Sequence, residues 1–271
     1  MDPGLAALIP VPGPGCGDHP DVLGWACPVP FFGHLETARL ATVGINPSDR
    51  EFAATDGTEL TGPARRFPTL RSLTLRAWMD SDEDVRQEIA SACCGYFDRN
   101  PYRGWFGQLQ RLIEPTGLSY YEPGSGACHL DLVPWATRRK WGLLPSTSRA
   151  SLLYQSRQAT ARVVTFSPLV MLVLNGREVV RQFEALSGQV LEPDRMPAWD
   201  LSRSNGHAVP GMAYLGSVTQ VAGIPLGRRL LAAGYNHNLQ SSFGVSAAVR
   251  DAISDWIAGQ YRAARRGCPG P

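Results

Sequence analysis

Four short stretches of this chain gather polar side chains of a kind that orients ligands. They are Gly44-Ile45-Asn46-Pro47-Ser48, Asp131-Leu132-Val133-Pro134-Trp135-Ala136-Thr137, Asn175-Gly176 and Asn236-His237-Asn238-Leu239-Gln240-Ser241-Ser242-Phe243-Gly244. Amides and hydroxyls donate and accept hydrogen bonds, but an amide does not take a proton outright. The stretches show no paired acid and base, and no cysteine–histidine dyad. Neither Gly-x-Gly-x-x-Gly nor a Walker loop follows any of the strand-like segments, which weighs against the usual nucleotide sites. The six cysteines, Cys16, Cys27, Cys93, Cys94, Cys128 and Cys268, form no Cys-x-x-Cys pair. They read as reduced thiols, and neither a metal nor any other cofactor is expected.

Each polar stretch follows a segment that reads as a strand. Ala38–Gly44, Ala127–Val133, Leu169–Leu174 and Arg229–Tyr235 are short apolar runs, as in parallel strands covered on both faces. Helical patterns lie between them, over Leu70–Met79, Glu83–Phe97, Arg103–Ile113, Arg149–Thr165 and Arg177–Leu186. A last helix spans Ser246–Ala264, with Ser246 as its cap. Strands alternating with helices predict an α/β fold, a three-layer α/β/α sandwich with a central parallel sheet of about four strands. Ligands of such sheets bind beyond the carboxyl ends of the strands, where the polar stretches fall. Residues 1–20 and 264–271, rich in proline, glycine or arginine, are expected to be loose, flanking one domain over 21–263.

A net charge of +2 argues neither for nor against nucleic acid. Its make-up says more, because Lys140 is the one lysine and the rest of the positive charge is arginine. Arginine forks match phosphates and base edges, although a GC-rich genome produces the same bias. No apolar run approaches the roughly 20 residues of a membrane span. The proline-broken segment Met1–Pro14 lacks the basic start of a secretory signal, so a cytoplasmic protein is expected.

Gly44-Ile45-Asn46-Pro47-Ser48 resembles the water-positioning motif of the uracil-DNA glycosylase superfamily, nearest its mismatch-specific and thymine-type branch. Asn236 to Ser241 is similar to the second motif of that superfamily, which clamps the DNA and the leaving base. Leu174-Asn175-Gly176 resembles the end of its third strand, and order and spacing agree over residues 31–260. There are departures. Asn236-His237-Asn238 replaces a His/Asn-Pro-Ser start, Gln240 stands where a leucine wedge is common, and Val190–Tyr214 is an insertion without a family counterpart.

The resemblance implies a monofunctional, monomeric DNA glycosylase that extrudes a nucleotide and hydrolyses its N-glycosidic bond. Asn46 would hold the attacking water, the alternative being an Asx turn before Pro47. Asn236 would donate to the leaving base, with His237 as its rival in a register shifted by one. Asn238, Ser241 and Ser242 would contact phosphates, and Leu239 or Gln240 would fill the gap left in the stack. Phe67, with Phe52 as runner-up, would stack on the flipped base, and Asn175 would lie at the base pocket. Asp131 stands where relatives carry an asparagine that pairs with uracil. A carboxylate accepts from the cytosine N4 amino group and repels uracil O4; if protonated, it also donates to N3. The alternative is an aspartate capping the Pro134 turn or paired with Arg138 or Arg139. Ser48 replaces a tyrosine that blocks C5 in uracil-specific relatives. Together Asp131 and Ser48 point to a cytosine with a 5-substituent, as in phage DNA, and hence to antiviral defence. The alternatives are repair of uracil or mismatched bases, a catalytically silent DNA-binding module, and a hydrolase of free nucleosides.

Overall fold

The computed structural model describes residues 3–11, 19–122, 124, 126–202, 208–239 and 245–267. They form a mixed α/β structure. Its chain divides into two compact units, one of Met1–Leu35, Gly44–Tyr102 and His129–Phe166, the other of Glu36–Val43, Arg103–Cys128 and Ser167–Pro271. The strands in chain order are β1 (Phe31–Phe32), β2 (Leu40–Gly44), β3 (Ala127–Asp131), β4 (Met171–Asn175), β5 (Glu192–Arg195), β6 (Leu201–Ser202), β7 (Ala208–Val209), β8 (Met212–Val221) and β9 (Ile224–Tyr235). The α-helices are α1 (Pro3–Ala6), α2 (Glu83–Cys94), α3 (Arg103–Ile113), α4 (Ser146–Phe166), α5 (Arg177–Ser187) and α6 (Ala247–Gly267).

All four expected strands form. The apolar runs of β2, β3 and β4 are buried at every position, as a strand covered on both faces requires. In the second unit β2 pairs in parallel with β4, Val43 opposite Leu174, and β4 with β9, Asn175 opposite Tyr235. The sheet is larger than expected and mixed. Seven strands are joined in the order β1-β3-β2-β4-β9-β8-β5, and β1·β3, β9·β8 and β8·β5 are antiparallel. The last apolar run points to a strand from Arg229, but β9 starts at Ile224 and returns from β8 through Ala222-Gly223. Both turn residues have positive φ, 49° and 77°, as a two-residue hairpin turn demands. The unplaced insertion Val190–Tyr214 supplies β5, the β6·β7 ladder and the start of β8. Periodicity does not reveal these segments, because β8 is only half-buried and β5 is exposed throughout, so neither carries an apolar run.

Five of the six expected helices form, two of them with side-chain caps. Asp82 accepts from the Val85 N–H at the start of α2, and Ser246 accepts from the Val249 N–H before α6. The expected helix Leu70–Met79 does not exist; its residues are turns ending in a short 3-10 helix, Trp78–Asp80. The reason is local. Thr69 and Ser72 bond each other's backbone N–H through their hydroxyls, and Thr74 takes φ of 56°, so the backbone is diverted from a helical ladder. Residues 1–20 were expected to be loose, yet α1 packs on α2 in the first unit, with Leu5, Leu8 and Ile9 buried. Likewise α6 runs on to Gly267, past the expected end at Ala264.

Glycines mark where the second unit has no room. A Cβ at Gly234 of β9 would collide with Val180 of α5 and crowd Leu174 of β4. Gly234→Ala is therefore expected to destabilise the protein by about 1–3 kcal/mol. Gly259, inside α6, meets nothing within 4 Å, and Gly259→Ala should stabilise by about 0.5–1 kcal/mol. Urea unfolding of the two variants checks the pair, and equal midpoints would contradict this packing.

Candidate active site

In the first unit the chain leaves β2 at Gly44. The Gly44 carbonyl accepts from Leu132 N–H (3.2 Å) and the Ile45 carbonyl from Val133 N–H (2.8 Å), so the two segments leave their strands side by side. A Cβ at Gly44 would overlap the Asp131 carboxyl and press on the His129 ring. Only glycine lets that carboxyl lie against the backbone.

Asn46 follows, half-buried. Its amide nitrogen donates to the carbonyls of Pro47 (3.1 Å) and Trp135 (3.4 Å) and to the Thr137 hydroxyl (3.1 Å). Thr137 spends its own proton on the Arg139 carbonyl (2.8 Å), so towards Asn46 it acts as acceptor. This fixes which end of the amide is nitrogen. Oδ1 accepts from no described residue, so the Asx turn does not form and the carbonyl is free to hold a ligand proton.

Ser48 has a structural use that its sequence context does not announce. Its hydroxyl caps a 3-10 turn, Asp49–Glu51, by accepting from Arg50 N–H (3.1 Å). That turn carries Glu51 inside, where it is 2% exposed. Glu51 Oε2 accepts from the Tyr96 hydroxyl (2.7 Å), and Arg66 Nε lies 3.8 Å away. Arg66 is itself held by the carbonyls of Asn100 and Arg50. Burial pushes the Glu51 carboxyl up to about 7, against the pull of Tyr96 and Arg66, and the charge of Asp131 adds to the rise. Asp131 is 5% exposed and its Oδ1 lies 3.3 Å from His129 Nε2. It pairs with neither suggested arginine, since Arg139 bonds Asp21 instead (2.7 Å). The fold thus buries titratable groups from outside the polar stretches beside Asp131: Tyr96 bonds Glu51, and His129 faces Asp131.

Phe67 is not displayed for a base. It is 1% exposed, with Tyr96 nearly parallel at 5.2 Å and Phe52 and Phe32 each at 5.6 Å. Phe52 is buried too. An aromatic that loses this much apolar surface to its neighbours packs as core. A cavity of about 660 Å³ opens elsewhere in this unit, lined by Leu8, Val11, Arg86, Gln158 and Arg162 with Trp135.

In the second unit the amides at the strand ends serve the backbone. Asn175 Oδ1 accepts from the Tyr235 hydroxyl (2.8 Å), tying the ends of β4 and β9 together. Asn236 bridges to the entry of β8: its Oδ1 accepts from Met212 N–H (3.0 Å) and its Nδ2 donates to the Pro210 carbonyl (2.7 Å). His237 is 3% exposed and its Nε2 donates to the Trp199 carbonyl (2.7 Å). Burial lowers its pKa, with the Trp199 bond and Asp200 opposing, which favours the neutral ring. Asn236 and His237 are thus committed groups, contrary to a leaving-base role in this arrangement. Asn238 is exposed, whereas Leu239 is buried and presents no wedge. Gln240, Ser241 and Ser242 lie outside the described residues.

Glu51, Tyr96 and His129 do not stand out in the sequence as site residues. The one signal is Ser48-x-x-Glu51, which reads as a capping box with a surface glutamate. Cys27, Cys93 and Cys128 are buried thiols held protonated by burial, and Cys94 is half-buried and in no disulfide. Among the described residues no three His, Cys, Asp or Glu gather as a metal site, and no helix is long and apolar enough to cross a membrane. No protein-family model matches the chain, and neither does any curated protein.

The raised Glu51 pKa has a stability consequence. Between an ordinary value of 4.5 and about 7 the folded chain holds a proton that the unfolded chain releases. The contribution is full below about 4.5 and is lost as pH rises through about 7, a range of roughly 3 kcal/mol at most. Glu51→Gln should remove this slope, becoming more stable relative to wild type at pH 8 than at pH 5. Denaturant unfolding at the two pH values measures it, and parallel behaviour of the two proteins would exclude it.

Proposed function

We propose that this chain is a monofunctional DNA glycosylase of the uracil-DNA glycosylase type, with the sandwich fold of that superfamily. In this reaction a water oxygen bonds C1′ as the C1′–N bond breaks. The bonding pair leaves with the base as an anion, and the proton that the water gives up ends, through solvent, on that base. Positive charge grows on the sugar and negative charge on the base, so the site must orient the water.

The clamp on Asn46 carries this reading. Three acceptors hold its nitrogen, so Oδ1 is preset to accept from a water. An amide cannot take the proton, which suits bases that leave readily. The buried carboxyl of Asp131 accepts where cytosine offers its N4 amino group, and the short side chain of Ser48 spares the C5 edge. The substrate read from these residues is a 5-substituted cytosine, as in phage DNA, removed by a cytoplasmic monomer in antiviral defence. A DNA-binding module without catalysis is the second reading, favoured by the commitment of Asn236 and His237 to backbone partners.

Incubation with DNAs of defined base content, followed by mass spectrometry of free bases, separates the two. Asn46→Ala should slow base release about 100-fold while DNA affinity is kept. Absence of any released base from wild type, with unchanged DNA binding in Asn46→Ala, would select the silent module.

The strand should remain uncut. Strand cleavage by β-elimination needs an amine that forms a Schiff base, and Lys140, the one lysine, is exposed. Product DNA should break only after alkali or an endonuclease is added, and borohydride should trap no adduct. A trapped adduct that vanishes in Lys140→Ala would refute this chemistry.

A further inference from the structure

The cavity of about 660 Å³ in the first unit has the size of a small-molecule site. Leu8, Ile9, Pro10 and Val11 give it an apolar wall. The opposite chemistry comes from α4, where Gln158 and Arg162 stand four positions apart and so share one face. Trp135, from the segment after β3, also lines it.

Two donors in this lining have nothing to donate to. Trp135 is 4% exposed, yet its buried Nε1–H meets no acceptor. Val22, Val133, Leu144 and Leu152 pack with it as one cluster, and none of their side chains can accept. The cavity is the side from which an acceptor can arrive. A buried donor without a partner is costly, and a ligand oxygen removes that cost. Arg162, exposed, has neither ion pair nor hydrogen bond among the described residues.

The charge of the lining narrows the ligand. Arg86 is already answered: its guanidinium donates to the Ser81 carbonyl (3.2 Å) and to Glu83 Oε2 (3.4 Å). With Arg86 set against Glu83, the lining keeps the charge of Arg162. That matches a monoanion, whereas a phosphate monoester carries close to about two negative charges at neutral pH. A guanidinium fork takes the two oxygens of a planar carboxylate side by side.

We propose that this cavity binds a small organic carboxylate. Its oxygens accept from Arg162 and from the Trp135 indole N–H, and its apolar body lies against Leu8, Ile9 and Val11. The site stands beside Asn46 rather than at it, since Trp135 gives its carbonyl to Asn46 (3.4 Å) and its side chain to the cavity. It does not depend on the glycosylase reading, and base release plays no part in its test.

Titration calorimetry on the full chain, with 1-naphthylacetate, its neutral amide, inorganic phosphate and a dinucleoside phosphodiester, provides that test. The acid should bind one to one, about tenfold more tightly than the amide and more tightly than phosphate or the phosphodiester. Arg162→Ala, at an exposed position, should weaken the acid about tenfold and leave the amide unchanged. Trp135→Phe keeps an aromatic ring, removes the N–H and should weaken the acid about fivefold. The Arg162 variant decides the matter even if the Trp135 variant fails to fold. Equal binding of acid and amide, or acid binding unchanged in Arg162→Ala, overturns the proposal. So does tighter binding of the phosphodiester, or no saturable binding of the acid below ~1 mM.

Discussion

A carboxyl group can be packed against the end of a neighbouring strand where a side chain is missing, and Gly44 is that place. Any Cβ there would overlap Asp131 and crowd His129. The close approach keeps Asp131 inside, and its charge then bears on Glu51. Glu51 in turn is drawn inward by the short turn that Ser48 caps. One missing side chain therefore sets the spacing of the buried titratable groups in the first unit.

The segment that leaves β3 has a double use. Asp131 supplies a carboxyl, and a few residues on, the Trp135 carbonyl and the Thr137 hydroxyl clamp the Asn46 amide. The Asn46 amide and the Asp131 carboxyl are thus tied to the same short loop, and movement of either end disturbs the other. Beneath them, Phe32, Phe52, Phe67 and Tyr96 form an aromatic cluster in which Tyr96 has a second role, holding Glu51 through its hydroxyl. Packing and polarity meet in that one side chain.

The second unit answers a different demand. Parallel strands end together at Asn175 and Tyr235, and their last polar groups must be satisfied where the ladder stops. The Tyr235 hydroxyl on Asn175, the Asn236 bridge to Met212 and Pro210, and His237 on the Trp199 carbonyl meet that need. Amides at strand ends serve catalysis and backbone termination equally well, so their type and place cannot separate the two uses.

What the sequence by itself determined is the part governed by local periodicity and short-range sterics. The runs of β2, β3 and β4 announce strands because both faces must be apolar, and the spacing of its apolar residues bounds α3 to the residue. Asn46 and Ser48 are legible as polar residues just past a strand end, and Asp131 as one at a strand end. The tertiary structure alone decided the rest. Whether Glu51 points to solvent or to Tyr96, and whether Phe67 faces a ligand or Tyr96, depends on partners 45 and 29 positions away in the chain. The antiparallel β8 and β5 exist because β9 offers an edge to pair with, not because their own pattern demands a strand. A carboxyl's titration follows its burial, and burial is a property of the packed chain, which no window of sequence contains.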